Sequence, residues 1–309
     1  MIDFEGQAVV VTGAGRGMGR LYALELAGRG ASVVVNDLGG TMGGDGADEK
    51  VADAVVDEIR AAGGSAVASY DTVDTPEGGT AIVEAAVDTF GRLDAVVSNA
   101  GILHTAPFDE LTVDEWRRML GVHLDGAFFL SQPAYRAMKT GGGGRFVFIA
   151  SSAGFFGQPS SAHYAAAKAG TMGLANVIAI EGAEHGILAN CVLPFGYSRM
   201  VWELVGERDE IEPEPGFLHA IEPELVVPMV VYLASRSCEL THHSFSACAG
   251  RFARAFAGLG EGWAADSTSP SADDIAAHLD RIAAPDPYTI PESIVDEIVQ
   301  VCQQLEIGV

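Results

Sequence analysis

The residues best placed to act together chemically lie in SSAGFFGQPSSAHYAAAK, Ser151 to Lys168. Lys168 is one of three lysines, with Lys50 and Lys139, in a chain that otherwise carries its positive charge on arginine. It follows Tyr164 by four residues, so on a helix both side chains leave one face. A free tyrosine, with a pKa of about 10, is a poor base at neutral pH. A neighbouring ammonium favours the phenolate and lowers that value. Such a tyrosine can exchange a proton with a substrate hydroxyl or carbonyl. A surface tyrosine one turn from a lysine is common, so the pair alone does not define a site.

A second cluster lies near the N-terminus. VVVTGAGRGMGR places Thr12, Gly13, Arg16, Gly17, Met18 and Gly19 between an apolar run and an amphipathic one. Glycines at a strand-to-helix turn let the backbone approach a pyrophosphate, which then sits at a helix N-terminus. An acidic residue about twenty positions on completes a dinucleotide-binding pattern. That residue is Asp37, in VVVNDLGG. Its carboxylate can accept hydrogen bonds from both adenosine ribose hydroxyls and repels a 2′-phosphate, favouring NAD over NADP. Arg16 is the counter-argument, because a guanidinium can meet that phosphate. Asp71, with Thr72 beside it, follows a third apolar run and either contacts the adenine edge or caps a turn.

The elements that must position these residues follow from periodicity. QAVVVT, ASVVVN, SAVASY, LDAVVS, RFVFIA and ILANCVL read as strands, most of them apolar enough to be buried on both faces. Between them run MGRLYALELAGRG, DEKVADAVVDEIRAAGG, GTAIVEAAVDTFG, TVDEWRRMLGVHLDGAFFLSQPAYRAMK and AHYAAAKAGTMGLANVIAIEGAEHG, all helical in pattern. This alternation predicts an α/β fold with a doubly wound parallel sheet, Rossmann-like, in a single domain. SFSACAG is a candidate last strand. The main domain is expected over 1–250, with a Pro-punctuated acidic loop at 198–224. A helical C-terminal extension, 251–309, is expected from SADDIAAHLDRIAA and PESIVDEIVQVCQQL joined by PDPYT. It is too small for an independent core and is expected to pack on the main domain or a partner subunit.

In order and spacing, TGAGRGMG, SNAG at Ser98–Gly101 and a serine upstream of YxxxK resemble the short-chain dehydrogenase/reductase family, over Gly6 to Gly250. VVVNDLGG, VHLDG and SRM at Ser198–Met200 are most similar to a narrower group. That group is the (3R)-hydroxyacyl-CoA dehydrogenase domains of peroxisomal multifunctional enzymes type 2, also described as 17β-hydroxysteroid dehydrogenase type 4. The resemblance implies that Tyr164 is the acid/base and that Lys168 lowers its pKa and holds the nicotinamide ribose. Ser151 would orient the reacting oxygen for hydride transfer. Asn99, Ala100 and Gly101 would flank the cofactor, as would Pro194 and Gly196, where the family's PG reads PFG. His123 stands where the family often has a catalytic asparagine; it either carries protons or is a core histidine bonded to a backbone carbonyl.

Phe155, Phe156, Tyr197, Met200 and Trp202 are the candidate pocket wall, which suits a hydrophobic alcohol or ketone. The expected substrate is a 3-hydroxyacyl-CoA or a hydroxysteroid-like compound. The acidity of 200–224, with Arg208 as its one basic residue, favours an uncharged substrate, whereas Arg251 and Arg254 offer a cationic patch for coenzyme A. A reductase of a small uncharged ketone and a non-catalytic nucleotide-sensing module are the alternatives. The family resemblance also implies a homodimer or homotetramer.

The formal charge of −24 argues against nucleic acid or an anionic membrane surface as the main partner. Apolar runs are too short for membrane insertion. The four cysteines show no metal or disulfide spacing, and His242 and His243 lack clustered partners, so no metal is expected. With no signal peptide pattern ahead of the first strand and no peroxisomal signal in EIGV, a cytoplasmic protein is expected.

Overall fold

The computed structural model describes every residue except 1, 199–200, 203–205, 213–215, 266, 268, 306 and 308–309. The valine-rich runs form β1 (Ala8–Thr12), β2 (Ser32–Asn36), β3 (Ser65–Ser69), β4 (Ala95–Ser98), β5 (Gly144–Ile149), β6 (Ile187–Phe195) and β7 (His243–Cys248). Their order is β3-β2-β1-β4-β5-β6-β7, parallel throughout. Val9, Val10, Val11, Val96 and Val97 have no exposed surface, as strands covered on both faces require. An eighth strand, β8 (Arg251–Ala255), had no clear signal in the sequence. Ala249 and Gly250, both at positive φ, join it to its neighbour β7. Two residues are too few for a crossover, so this edge pair is antiparallel.

The flanking helices are α1 (Gly17–Gly28), α2 (Lys50–Ala61), α3 (Pro76–Phe90), α4 (Val113–Leu120), α5 (Gly126–Gly141), α6 (Ala153–Phe156) and α7 (Ala162–Gly182). α1 packs with α2 and with the helix Val227–Ala234, while α3, α5 and α7 pack side by side. These are the two layers of a doubly wound fold.

The long helical pattern from Thr112 to Lys139 is not one regular helix. α4 and α5 are joined by a π-helical turn, Gly121–Asp125, which accommodates an extra residue and carries His123. Such turns recur at functional sites, and an amphipathic periodicity does not reveal them. The start of α4 is fixed by a reciprocal cap. Thr112 Oγ1 accepts the Glu115 N–H, and the Glu115 carboxylate accepts the Thr112 N–H.

Contacts divide the chain into two units, Met1–Arg254 and Ala255–Val309. In the second, the first expected helix is split into Ala272–Ala277 and Leu279–Ile282. The PDPYT segment contributes β10 (Tyr288–Thr289), antiparallel to β9 (Leu259–Gly260). A helix at Ile294–Gln304 follows as expected.

Thr112→Ala removes the cap of α4 and is expected to lower stability by about 1 kcal/mol, read as a shift in the urea midpoint without a change in slope.

Candidate active site

One cleft of about 560 Å³ opens at the carboxyl ends of the parallel strands, where the strand order reverses. Every cofactor-binding residue expected from the sequence lines it, and so do Ser151, Tyr164, Lys168 and His123.

At the β1–α1 turn, Gly13 has a φ of +62°, in the left-handed region. A Cβ on Gly19 would overlap the Gly13 carbonyl oxygen, so only glycine fits. α1 begins with no side-chain cap and no acidic residue in its first turn, leaving its N–H groups for an anion. Asn99 braces this turn, its Nδ2 donating to Thr12 O at 2.9 Å and Gly13 O at 3.2 Å. Thr12 Oγ1 in return accepts the N–H groups of Asn99 and Ala100 at 3.0 Å. Asp37 accepts the N–H of Gly15 on one oxygen (2.8 Å) and that of Gly39 on the other (2.7 Å). Each carboxylate oxygen keeps a second lone pair for a ribose hydroxyl. Arg16 is exposed and donates to Gly40 O at 3.2 Å. Asp71 is placed by Asn36, which donates to its carbonyl at 2.9 Å, and by the Ser69 hydroxyl, which donates to its carboxylate at 3.1 Å. The donor-rich turn, its close glycines and the carboxylate beyond it fit a dinucleotide.

Around the reacting point, Ser151 follows β5 while Tyr164 and Lys168 lie on α7. Lys168 is buried, and its Nζ donates to Ile149 O at 2.6 Å. Burial lowers its pKa to about 8. Tyr164 differs from the sequence-based expectation. Burial pushes its pKa up, and the opposing pull comes from the Ser151 hydroxyl. Lys168 Nζ lies 5.7 Å from the Tyr164 ring centre with one N–H committed to the strand, so desolvation outweighs the ammonium.

His123 packs edge-on against Tyr164, ring centres 5.2 Å apart. Gly101 makes room for it, because a Cβ there would overlap the imidazole. Its Nε2 lies 2.8 Å from Ile102 O and 3.1 Å from Ile102 N, whereas its buried Nδ1 has no partner. The carbonyl-bonded reading of this histidine therefore covers one nitrogen only. Burial, then the charge of Lys168, lowers its pKa to about 3, so it is neutral at physiological pH.

The expected pocket wall needs correction. Phe155, Phe156, Tyr197 and Trp202 do not line the cleft, and Met200 lies outside the described residues. Phe156 is 78% exposed on α6 and faces away. The Tyr197 hydroxyl donates to Gly206 O at 2.6 Å, and the Arg208 guanidinium lies over its ring. The apolar wall is instead Phe195, Val201, Phe217, Leu218 and Ile221, with Leu103 from an earlier loop and Val122 from the π-helical turn. Most of these lie far in sequence from the catalytic motif, so proximity along the chain could not find them. The 38–49 loop, which contributes Leu38, Gly40, Thr41 and Gly44, had a usable signal. It is unusually long for a strand-to-helix connection. His243 opens β7, and no metal-binding cluster occurs among the described residues.

A doubly wound sheet with a glycine turn after β1 and Ser, Tyr and Lys at the switch point defines a Rossmann-type oxidoreductase. The chain belongs to the short-chain dehydrogenase family, whose model matches residues 7–205. It is 45% identical over 251 residues to the peroxisomal hydratase-dehydrogenase-epimerase of Saccharomyces cerevisiae, covering 81% of this chain and 27% of that protein. The full-length peroxisomal multifunctional enzyme type 2 from Drosophila melanogaster superposes with a TM-score of 0.81 at 31% identity, over 99% of this chain and 50% of that one. The chain thus spans a quarter to a half of these relatives. A 7α-hydroxysteroid dehydrogenase complexed with NADH and 7-oxo glycochenodeoxycholic acid matches with a TM-score of 0.72 at 25% identity, over 80% of this chain and 95% of that one. Among the described residues, no helix is long and apolar enough to cross a membrane.

Between pH 6.5 and about 3, the unfolded chain protonates His123 while the folded one does not, so stability falls as pH falls through this window. His123→Asn is expected to flatten that acid limb, by at most about 1.4 kcal/mol per pH unit, in urea unfolding measured across the window.

Proposed function

We propose that the chain is an NAD-dependent oxidoreductase interconverting a hydrophobic secondary alcohol and its ketone, with a 3-hydroxyacyl-CoA or hydroxysteroid-like compound as substrate. The observation that carries this reading is that Ser151, Tyr164 and a buried Lys168 line one cleft beside the glycine turn. With both hydroxyl-bearing residues on this cleft, one carbonyl or carbinol oxygen bound there can meet Ser151 and Tyr164. A bound nicotinamide dinucleotide would supply the hydride donor or acceptor.

Ser151 orients the oxygen and Tyr164 moves its proton. Burial keeps the Tyr164 phenol protonated, the form that donates to a carbonyl during reduction. Lys168 spends one N–H on Ile149 O and has two left for ribose hydroxyls. The preference for NAD rests on Asp37, whose carboxylate is fixed at the cleft by two backbone N–H groups, where a 2′-phosphate would meet like charge. Arg16 is already engaged by Gly40 O, which weakens the counter-argument.

Exposed Phe128 on α5 and Val177 and Ile180 on α7 support a homodimer or homotetramer built on those helices. The free cysteines suit a reducing compartment, and we place the protein in the cytoplasm. A non-catalytic nucleotide sensor would not need Ser151, Tyr164 and Lys168 together on the cleft.

Tyr164→Phe is expected to lower kcat by roughly 10²–10⁴-fold with NADH binding retained, as measured by NADH absorbance and fluorescence titration. Full activity in the variant would remove the acid/base assignment. NADPH is expected to bind at least about tenfold more weakly than NADH, with the gap narrowing in Asp37→Ser. Equal affinities in the unmodified protein would instead assign the 2′-phosphate to Arg16.

A further inference from the structure

His104, which neither the sequence motifs nor the hydride chemistry require, lines the same cleft with its side chain 42% exposed. Its Nε2 lies 3.1 Å from Glu115 Oε1. Glu115 is itself fixed, because its Oε2 accepts the N–H (2.9 Å) and the hydroxyl (2.7 Å) of Thr112. These bonds hold its carboxyl below the ordinary carboxylate range. An ionised carboxylate can only accept, so the imidazole proton sits on Nε2. In the neutral ring, Nδ1 is then a bare acceptor. On its other side the ring meets His163 edge-on, with centres 5.7 Å apart. His163 is fully buried, neither of its nitrogens has a hydrogen-bond partner, and it directly precedes Tyr164. The imidazole of His104 is thus held from two sides, next to the segment that carries the acid/base.

We propose that His104 is a specificity-determining residue whose Nδ1 accepts a hydrogen bond from an amide N–H in the pantetheine arm of an acyl thioester. This rests on the 3-hydroxyacyl reading above. An acceptor selects donors, and the choice of donor follows from what remains on the substrate. The reacting hydroxyl is taken by Ser151 and Tyr164, a thioester carbonyl cannot donate, and a simple cyclic alcohol offers no second donor. Of the donors left on a coenzyme A thioester, the amide N–H groups of the pantetheine arm lie nearest the thioester, ahead of its pantoyl hydroxyl. Gln158 and Ser161, on the same cleft, add polar surface for such an arm, while Phe217, Leu218 and Ile221 suit an acyl chain.

The test compares kcat/KM for the coenzyme A thioester, the N-acetylcysteamine thioester and the ethyl ester of 3-hydroxybutanoic acid. The first two carry amide N–H groups and the ester carries none. In His104→Ala the thioester-to-ester ratio is expected to fall about tenfold, through KM rather than kcat. Glu115→Gln, which keeps the imidazole but releases its proton from Nε2, is expected to lower the ratio in the same direction. A ratio unchanged in both variants, with normal wild-type turnover, overturns this inference alone. If the wild type turns over none of the three compounds, the 3-hydroxyacyl reading fails and this inference fails with it.

Discussion

Removing an ammonium group from water costs several kcal/mol unless its hydrogen bonds are replaced, and Lys168 has left water almost completely. The carbonyl of Ile149, the last residue of β5, replaces one of them at 2.6 Å. That single bond fastens α7 to the end of the central strand. Ser151 emerges two residues beyond the carbonyl and Tyr164 one helical turn before the lysine, so the bond sets how the two hydroxyls meet. The same charge reaches His123 and, together with burial, keeps it neutral. A lysine is needed there because its long stem can cross the helix–strand gap while its head still offers N–H groups to the cleft.

The cofactor side is built on a related principle, with neighbouring strand ends cross-linked by short polar side chains. Thr12 and Asn99 tie β1 to β4, Asp37 ties the end of β2 to the glycine turn, and Asn36 ties β2 to β3 through Ser69 and Asp71. Each link satisfies backbone groups that a parallel sheet leaves open at its edge of use. Asn99 in particular acts on the phosphate turn through Thr12 O and Gly13 O, so the NAG stretch supports the bed as well as lining it.

The parts of this arrangement visible in the sequence are those set by backbone geometry. Gly13 and Gly19 admit no Cβ, Asp37 must follow the second strand, and a four-residue spacing fixes a helix face, so each leaves a mark in one dimension. The pocket wall leaves none. Phe155 and Phe156 are close to Ser151 in sequence, yet Phe156 on the short α6 is exposed, while Phe217 and Leu218 arrive from more than sixty residues downstream. The π turn at Gly121–Asp125 is hidden for another reason: one residue added to a helix barely alters its apolar periodicity, yet it re-aims His123 at Tyr164.

The acidic stretch after Ser198 illustrates how composition misleads when pairing is ignored. As a count of charges it opposes a coenzyme A substrate. In the fold, Glu212 accepts the N–H groups of Phe217, Leu218 and His219 and contacts the His219 ring, whose other nitrogen meets Asp209 at 3.0 Å. Glu222 pairs with Arg208 at 2.6 Å. Three carboxylates are therefore spent on holding the segment together, and hydrogen bonds to Glu212 and Asp209 raise the pKa of His219. The residues this arrangement turns toward the cleft are Phe217 and Leu218, both apolar. Part of the acidity here thus serves to fold the segment that presents a hydrophobic wall.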